Sequence, residues 1–496
     1  MQSDKKMPGN KEINQSDRIC LIVDNPLRDL EGMVLVALHL AAEGKDVFLV
    51  PMYQSYEVFA IYPDFVLVNY IRDNNDAFIR RCIDAGIAIG VLDTEGGVLQ
   101  DYDWYYRKIF SNELASKLDL YCFWGLKQFE TAKQVMLEKN VDYQQSFLQV
   151  TGCPRYDFCF SPWRDALTDV AFKGTKYVLI NTNFQLVQPR YQTAEQEIRN
   201  LIDSYGWDKE YLDELACQTK IAFKEVVKAI KHLATAIPGL SYVVRPHPFE
   251  DRSVYDKEFH GYQNVHVYQE RSVLPWIRNA LVVLHHNCST SVESVLMDKL
   301  PVDFAWIKTP LLDQPIPKSI SVHANSPEEL ESIVKKISND ETISLPSETS
   351  MFQNKIIREW FYSDDGRSGE RTARAVNEVI NGKRRNKTKH ISSIMKSLLL
   401  IPLLKRNVKE VLKYSLLLSL KTKIYNKIEQ YYRGSNKMKI MKSKEFSVEE
   451  TRAIVKRIGK VTNGFDAIRV IQANDEHTVI KGIARHSVLL RRSGSN

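Results

Sequence analysis

Four consecutive residues, Arg245, Pro246, His247 and Pro248, are the part of the sequence best suited to chemistry. They follow an apolar run, residues 241–245, that predicts a β-strand, and the two prolines fix the backbone where that strand ends. An imidazole there can offer a hydrogen bond or a positive charge to a phosphate, and Arg245 can contact the same group through two N–H donors. The alternative interpretation is a rigid turn that carries a surface histidine.

A second polar segment, residues 285–293, has the sequence HHNCSTSVE at a predicted strand-to-helix junction. Hydroxyls and free backbone N–H groups at the start of a helix form an anion site. One turn into the helix, a carboxylate can contact the ribose hydroxyls of a nucleotide. The pattern is also typical of an ordinary helix cap with an acidic first turn. The donor-binding candidates in this segment are Asn287, Ser289, Thr290, Ser291 and Glu293.

A third segment, Asp93-Thr94-Glu95-Gly96-Gly97, follows the apolar run 87–92. The glycines permit a tight turn and close approach of a substrate. Asp93 or Glu95 can act as general base toward a sugar hydroxyl, and Glu95 is favoured because it directly precedes the glycines and has the longer side chain. The alternative is a turn with solvated acids.

Two loops complete the set of candidates. Asn181 and Asn183 follow the apolar run 177–181 and are candidate donor-binding residues. Residues 152–157, GCPRYD, lie where two halves of the chain join, and they form either a hinge or part of the site.

The elements that must position these segments alternate between apolar strand signals and amphipathic helix signals. Such alternation is typical of parallel sheets covered on both faces, and two such units in tandem form a cleft at the carboxyl ends of their strands. The first unit has predicted strands at 18–23, 46–50, 64–70, 87–92, 119–124 and 147–151, and the second at 177–181, 241–245, 265–268, 281–285 and 301–306.

The charge of the chain changes sharply near residue 383. Residues 383–496 contain 27 Lys and Arg against 8 Asp and Glu, whereas the preceding residues contain 41 against 53. Between 391 and 432, apolar residues recur at helical spacing with lysines on the other face. This pattern predicts docking on an anionic membrane surface rather than on nucleic acid. The alternative is a helical appendage that packs on the body or forms a dimer.

The composition favours a cytoplasmic location. Seven scattered cysteines without a CxxC pair indicate a reducing compartment, and the polar start of the sequence is not a signal peptide. The apolar runs are too short to span a membrane.

We expect no metal and no other cofactor, because no DxD pair occurs in a predicted phosphate-binding loop.

The order DTEGG, GCPRYD, INTNF, RPHP and HHNCSTSVES resembles the bacterial surface carbohydrate biosynthesis proteins, which are GT-B-like glycosyltransferases related to Kdo transferases. The resemblance covers residues 18–380. The RPHP and STS pair is also similar to the HP and S/T motifs of bacterial sialyltransferases. That similarity implies that His247, Ser289, Thr290 and Ser291 hold the phosphate of a CMP-sugar. It also implies that the acidic loop, with Asp93 and Glu95, supplies the base.

The resemblance implies an α/β, GT-B-like fold, with two Rossmann-like domains facing a central cleft. The expected division is a flexible 1–17, an acceptor domain 18–158, a nucleotide-sugar domain 159–382 and a basic amphipathic extension 383–496. The expected function is transfer of an ulosonic acid, Kdo-like or sialic-acid-like, from a CMP donor to a glycan or lipid-linked glycan acceptor. The expected product is a capsule or O-antigen polysaccharide, and the expected location is the inner face of the inner membrane. The alternatives are a polyol-phosphate transferase of the teichoic-acid type and a non-enzymatic scaffold of polysaccharide export.

Overall fold

A computed structural model describes residues 16–72, 75–94, 101–110, 113–141, 147–172, 176–270, 272–397, 436–473 and 486–493 of the 496-residue chain. Within this part of the chain, no helix is both long enough and apolar enough to cross a membrane.

The first domain is built on a parallel sheet whose inner strands are buried and largely apolar, whereas residues 148–150 of an edge strand are half-buried. Its elements are β1 (Arg18–Val23), α1 (Pro26–Ala42), β2 (Asp46–Pro51), α2 (Val58–Ile61), β3 (Phe65–Val68), α3 (Asp76–Asp84), β4 (Ala88–Leu92), α4 (Tyr102–Ile109), β5 (Leu120–Phe123), α5 (Leu126–Glu138) and β6 (Phe147–Val150). The order of these parallel strands is β2-β1-β3-β4-β5-β6.

The second domain repeats the arrangement with six parallel strands. Its elements are β7 (Tyr177–Asn181), α6 (Ala194–Tyr205), α7 (Lys209–Ala236), β8 (Ser241–Arg245), α8 (Arg252–Glu258), β9 (Val265–Val267), α9 (Leu274–Asn279), β10 (Val282–His285), α10 (Thr290–Leu296), β11 (Pro301–Phe304), α11 (Pro315–Ser319), β12 (Val322–Ala324) and α12 (Pro327–Ser338). The strand order is β12-β11-β10-β7-β8-β9. Helices α6 and α7 are separate because Gly206 adopts a left-handed conformation (φ 68°) that ends α6.

Two further helices, α13 (Ser347–Trp360) and α14 (Ser368–Ser397), return to the first domain. The Gln128 side chain on α5 donates to the carbonyl oxygen of Trp360 at 3.3 Å, and Asn377 on α14 donates to Glu43 at 2.6 Å. The fold therefore carries the chain back to the first domain before the change in charge at residue 383.

The C-terminal segment forms α15 (Asn436–Ser443), α16 (Val448–Val461), β13 (Ile468–Gln472) and β14 (Val488–Arg492). Strand β14 pairs antiparallel with β2 in the register Leu489 to Phe48, and β13 extends the same sheet. Residues 440–473 and 486–493 therefore pack on the body and extend the first sheet, as in the appendage interpretation. The amphipathic residues 398–432 lie outside the described residues.

The described residues confirm the predicted fold class, which is an α/β chain with two Rossmann-like domains and a cleft between them. The extension after residue 383 is helical in part, at α14, α15 and α16, but it also contributes two strands that the sequence analysis did not predict.

Candidate functional site

A cleft of about 450 Å³ lies at the carboxyl ends of both parallel sheets, where ligands of such sheets bind. Its walls come from both domains, so a bound molecule would bridge them. The first domain contributes Asp24, Asn25, Leu27, Arg28, Thr94 and Trp124, and the second contributes Asn181, Thr182, Asn183, Gln185, Arg245, His247, Ser289, Thr290 and Glu293; Arg155 and Lys444 also line the cleft.

The turn after β8 is fixed by hydrogen bonds to its main chain. The backbone N–H of His247 donates to Oε1 of Glu250 at 3.0 Å, and Nε2 of Gln269 donates to the carbonyl oxygen of His247 at 2.7 Å. Because the backbone on both sides of the imidazole is held in this way, the His247 ring has a fixed direction on the cleft wall.

The His247 side chain is a neutral hydrogen-bond donor rather than a cation. Burial, with a smaller contribution from the nearby Arg28 guanidinium, lowers the pKa of His247 to about 4. Nδ1 accepts a hydrogen bond from the backbone N–H of Phe249 at 3.3 Å, which leaves the proton of the neutral ring on Nε2. Of the two roles predicted for this imidazole, the structure favours hydrogen bonding over positive charge.

Glu250 is a positioning residue that the sequence analysis missed. Its fully buried carboxylate accepts hydrogen bonds from Tyr255 and from Thr182, the latter at 3.0 Å. Burial raises the pKa of Glu250 to about 7. The carboxylate thus connects the loop after β7 to the turn after β8. The feature of the sequence that could have indicated this role is an acidic residue three positions after His247.

Arg245 ends β8 and is almost fully buried beneath the same turn. Its Nη1 donates to the carbonyl oxygen of Glu270 at 3.1 Å, and its guanidinium lies 5.0 Å from the centre of the Trp276 ring. Burial lowers the pKa of Arg245 to about 10. The group lines the cleft as a cation with a fixed position.

Ser289 and Thr290 also line the cleft, from the turn after β10. Ser289 precedes α10 but makes no side-chain capping hydrogen bond, and α10 has only seven residues. Thr290 Oγ1 accepts a hydrogen bond from Asn181 Nδ2 at 3.0 Å, which joins the ends of β7 and β10. The segment therefore presents hydroxyls to the cleft rather than an ordinary capped helix.

Asn287 and Ser291 do not line the cleft, although both were predicted to bind the donor. Asn287 has a left-handed conformation (φ 51°), and its amide donates to Asp313 at 3.3 Å. Ser291 is fully buried, and its hydroxyl donates to the carbonyl oxygen of Cys288 at 3.0 Å. Both side chains stabilise the turn that presents Ser289 and Thr290.

Glu293 and Arg155 form a pair in the cleft wall. Arg155 Nη2 lies 3.8 Å from Glu293 Oε1. Arg155 Nε and Glu293 Oε2 are both buried and have no hydrogen-bond partner. Such groups are uncommon in folded proteins, which makes the pair a candidate contact of a bound molecule.

Arg155 reaches the cleft because α1 contains a glycine. A Cβ on Gly32 would lie 2.6 Å from the backbone nitrogen of Arg155, so only glycine allows the 3₁₀ turn Pro154–Cys159 to approach α1 this closely. The guanidinium then stacks 5.0 Å from Trp124 and 4.6 Å from Tyr156. Residues 152–157 thus supply a cleft residue, and Arg155 was not among the predicted site residues.

Asp93 does not line the main cleft, although it was a predicted catalytic acid. It is 2% exposed, and its Oδ2 accepts hydrogen bonds from the hydroxyls of Tyr105 at 2.6 Å and Tyr121 at 2.9 Å. These contacts give it a structural role. Thr94 does line the cleft, whereas Glu95 lies outside the described residues.

The part of the first-domain wall that follows β1 was missed by the sequence analysis. It begins where β1 ends, and Asn25 caps α1 by accepting a hydrogen bond from the backbone N–H of Leu27 at 3.1 Å. Arg28 donates to Asp24 at 3.1 Å and to Asp29 at 2.9 Å. The feature of the sequence that could have indicated this part of the wall is the polar Asp24-Asn25 pair directly after an apolar strand.

No group of three or more His, Cys, Asp or Glu residues suited to a metal ion occurs among the residues that the structure describes. The expectation that the protein needs no metal stays a prediction.

No protein-family model matches the chain, and no curated protein matches its sequence. Solved structures match it in fold. One is S. aureus MnaA with UDP, which is 12% identical, covers 74% of this chain and 97% of that chain, and gives a TM-score of 0.44. Another is the UDP-GlcNAc 2-epimerase of Methanocaldococcus jannaschii with UDP-GlcNAc and UDP, which is 12% identical, covers 73% of this chain and 99% of that chain, and gives a TM-score of 0.44.

A third similar structure is the wall teichoic acid polymerase TagF with CDPG. It is 10% identical, covers 65% of this chain and 73% of that chain, and gives a TM-score of 0.37. With two parallel sheets that meet at one cleft, the chain has the GT-B-like architecture predicted above.

Proposed function

We propose that this protein is a metal-independent glycosyltransferase that transfers an ulosonic acid from a CMP donor during synthesis of a bacterial surface polysaccharide. One observation carries the proposal: His247, Ser289 and Thr290, the residues of the HP and S/T motifs, line the same cleft. They come from the ends of two different strands, so their proximity in space is independent of their spacing in the sequence.

The nucleotide is assigned to the second-domain wall. A single phosphate fits a neutral imidazole N–H and two hydroxyls, with the Arg245 guanidinium nearby. The Glu293 carboxylate, which lines the same wall, is proposed to accept hydrogen bonds from ribose hydroxyls. The guanidinium groups that line the cleft can stabilise a departing phosphate, which is the role of a divalent ion in metal-dependent transferases.

Glu95 is proposed as the base that activates the acceptor hydroxyl. The buried Asp93 is committed to two tyrosine hydroxyls, whereas Thr94, the residue before Glu95, lines the cleft. The acceptor is proposed to be a glycan or lipid-linked glycan on the first-domain side.

The location is proposed to be cytoplasmic, at the inner face of the inner membrane. The basic residues between 383 and 435 would contact anionic lipid.

Calorimetric titration with CMP, UDP, GDP and CDP-glycerol tests the donor class. We expect CMP to bind more tightly than UDP or GDP, with the same affinity in EDTA. Ser289→Ala should weaken CMP binding roughly tenfold through loss of a hydrogen bond to a charged group. Ser253→Ala, an exposed serine on α8, is the matched control and should bind like the wild type.

Other results would select the alternatives. Tighter binding of UDP than of CMP would indicate an ordinary UDP-sugar transferase. Preferred binding of CDP-glycerol, with a product that gains a polyol-phosphate mass, would indicate the teichoic-acid type of reaction. Absence of binding by any nucleotide would indicate a scaffold.

A further inference from the structure

Lys444 lies on the first-domain wall of the cleft although it belongs to the C-terminal segment. Its Nζ lies 2.5 Å from Oδ1 of Asp24, and its side chain is only 15% exposed. The other oxygen of Asp24, Oδ2, accepts the hydrogen bond from Arg28. A single carboxylate therefore holds two cationic side chains next to each other at the cleft.

Lys444 is not needed to attach the C-terminal segment to the body. Arg457 forms an ion pair with Glu31 at 2.5 Å, Arg491 forms one with Asp46, and β14 pairs with β2 over residues 488–490. These contacts lie away from the cleft lining. The position of Lys444 in the cleft thus calls for an explanation other than anchoring.

The charges of the cleft lining indicate what Lys444 contacts. Arg28, Arg155, Arg245 and Lys444 are cationic, whereas Asp24 and Glu293 are the acids that line the same cleft among the described residues. The neutral His247 adds no charge. Arg28 is also paired with Asp29, which lies outside the lining. Arg28 and Lys444 form a group of cations on the first-domain wall, apart from the Arg245 guanidinium in the turn of His247, so this wall suits a second anionic group of the ligand.

We propose that Lys444 and Arg28 bind the carboxylate of the transferred sugar and so select ulosonic acids over neutral sugars. This inference rests on the proposed function and deepens it. In a CMP-linked ulosonic acid the carboxylate is attached to the anomeric carbon that bears the phosphate, so the two anionic groups must be bound side by side. Arg28, Lys444 and His247 line the same cleft, as this arrangement requires.

A second phosphate in a nucleoside diphosphate could supply the same charge, and the experiment distinguishes the two sources. The probes are CMP, CMP-N-acetylneuraminic acid and UDP, titrated by calorimetry into the full-length protein. We expect Lys444→Gln to weaken binding of the sugar nucleotide at least tenfold, about the value of one hydrogen bond between charged groups. Binding of CMP alone should change less than twofold.

Two further variants serve as controls. Lys444→Arg keeps the charge and should retain most of the affinity, which separates a binding role from a folding defect. Lys442→Gln changes an exposed lysine two positions away and should bind like the wild type.

Three results would overturn the inference. In the first, Lys444→Gln binds the sugar nucleotide with full affinity. In the second, the variant loses as much affinity for CMP as for the sugar nucleotide, and in the third it loses affinity for UDP alone. A wild-type protein that binds no CMP would overturn the proposed function and this inference together. A wild-type protein that binds CMP, with a Lys444→Gln variant unchanged toward the sugar nucleotide, would overturn this inference alone.

Discussion

The His247 imidazole is the side chain most directly tied to the proposed chemistry. We expect His247→Ala to lower turnover by roughly two to three orders of magnitude, since one donor to a developing anion contributes about 2.7–4 kcal/mol. The melting temperature should stay close to the wild-type value, because Glu250 and Gln269 hold the turn through its main chain. Steady-state rates and calorimetric melting of the same preparation check both expectations.

The pH dependence of turnover adds a second readout for His247. Because burial lowers its pKa to about 4, the ring should stay neutral from pH 8 down to pH 5. A turnover inflection between pH 6 and 7 that disappears in His247→Ala would contradict this assignment. Normal turnover in the folded variant would remove His247 from the mechanism.

Sequence reasoning found the site residues that lie in compact local motifs. His247, Ser289 and Thr290 each follow an apolar strand closely, and the edge of a parallel sheet brings such positions together. Glu250, Arg155 and Arg28 escaped prediction because their roles depend on contacts between distant parts of the chain. Asn287 and Ser291 share the local pattern of their neighbours, and only the turn geometry separates them from the cleft-lining hydroxyls.

Most strands of the two parallel sheets were well predicted because buried parallel strands are largely apolar, but the short edge strand β12 (Val322–Ala324) was not predicted. Arg18–Val23, Tyr177–Asn181 and Ser241–Arg245 agree with prediction at both ends. Strands β13 and β14 were not predicted as members of the first sheet. Their sequences contain only β-like signals, and nothing local specifies pairing with a strand that lies hundreds of residues earlier.

The pairing of β14 with β2 predicts that the C-terminal segment contributes to stability. Leu490 is fully buried in the core of the first domain. We expect Leu490→Ala to lower the free energy of unfolding by about 2–5 kcal/mol, the usual cost of a cavity in a core. Denaturant titration measures the effect. Arg492→Ala, at an exposed position of the same strand, should change stability by less than about 0.5 kcal/mol. Equal stability of both variants would mean that the segment is not part of the folded domain.

The two domains and the sharp change in charge were both evident from composition and periodicity. What composition could not show is that part of the basic region belongs to the folded body. Residues 440–473 and 486–493 pack on the first domain, and Lys444 lines the cleft. The earlier residues of the region, with their lysines and leucines, remain the proposed membrane contact.

Lipid binding by that region is testable on the intact protein. Replacement of Lys409, Lys413 and Lys421 by Gln should weaken binding to vesicles containing phosphatidylglycerol roughly a hundredfold, at about 1 kcal/mol per lysine. A variant with Gln at Lys220, Lys224 and Lys228, three exposed lysines of α7, has the same net charge and should bind like the wild type. Vesicle sedimentation at several salt concentrations gives the measurement. Equal binding by the two variants would refute a specific membrane contact.

The antiparallel pairing of β14 with β2 also affects how the protein is made. At roughly 5–20 residues per second, a ribosome needs on the order of tens of seconds to proceed from β2 to residues 488–492. Throughout that interval the first sheet has an open edge at β2, and open edges invite pairing with other chains. A chain released before residue 444 would also lack Lys444, which lines the cleft. The edge of the sheet and the lining of the cleft are therefore both completed late in synthesis, so such a product would be prone to aggregation and would have an incomplete cleft.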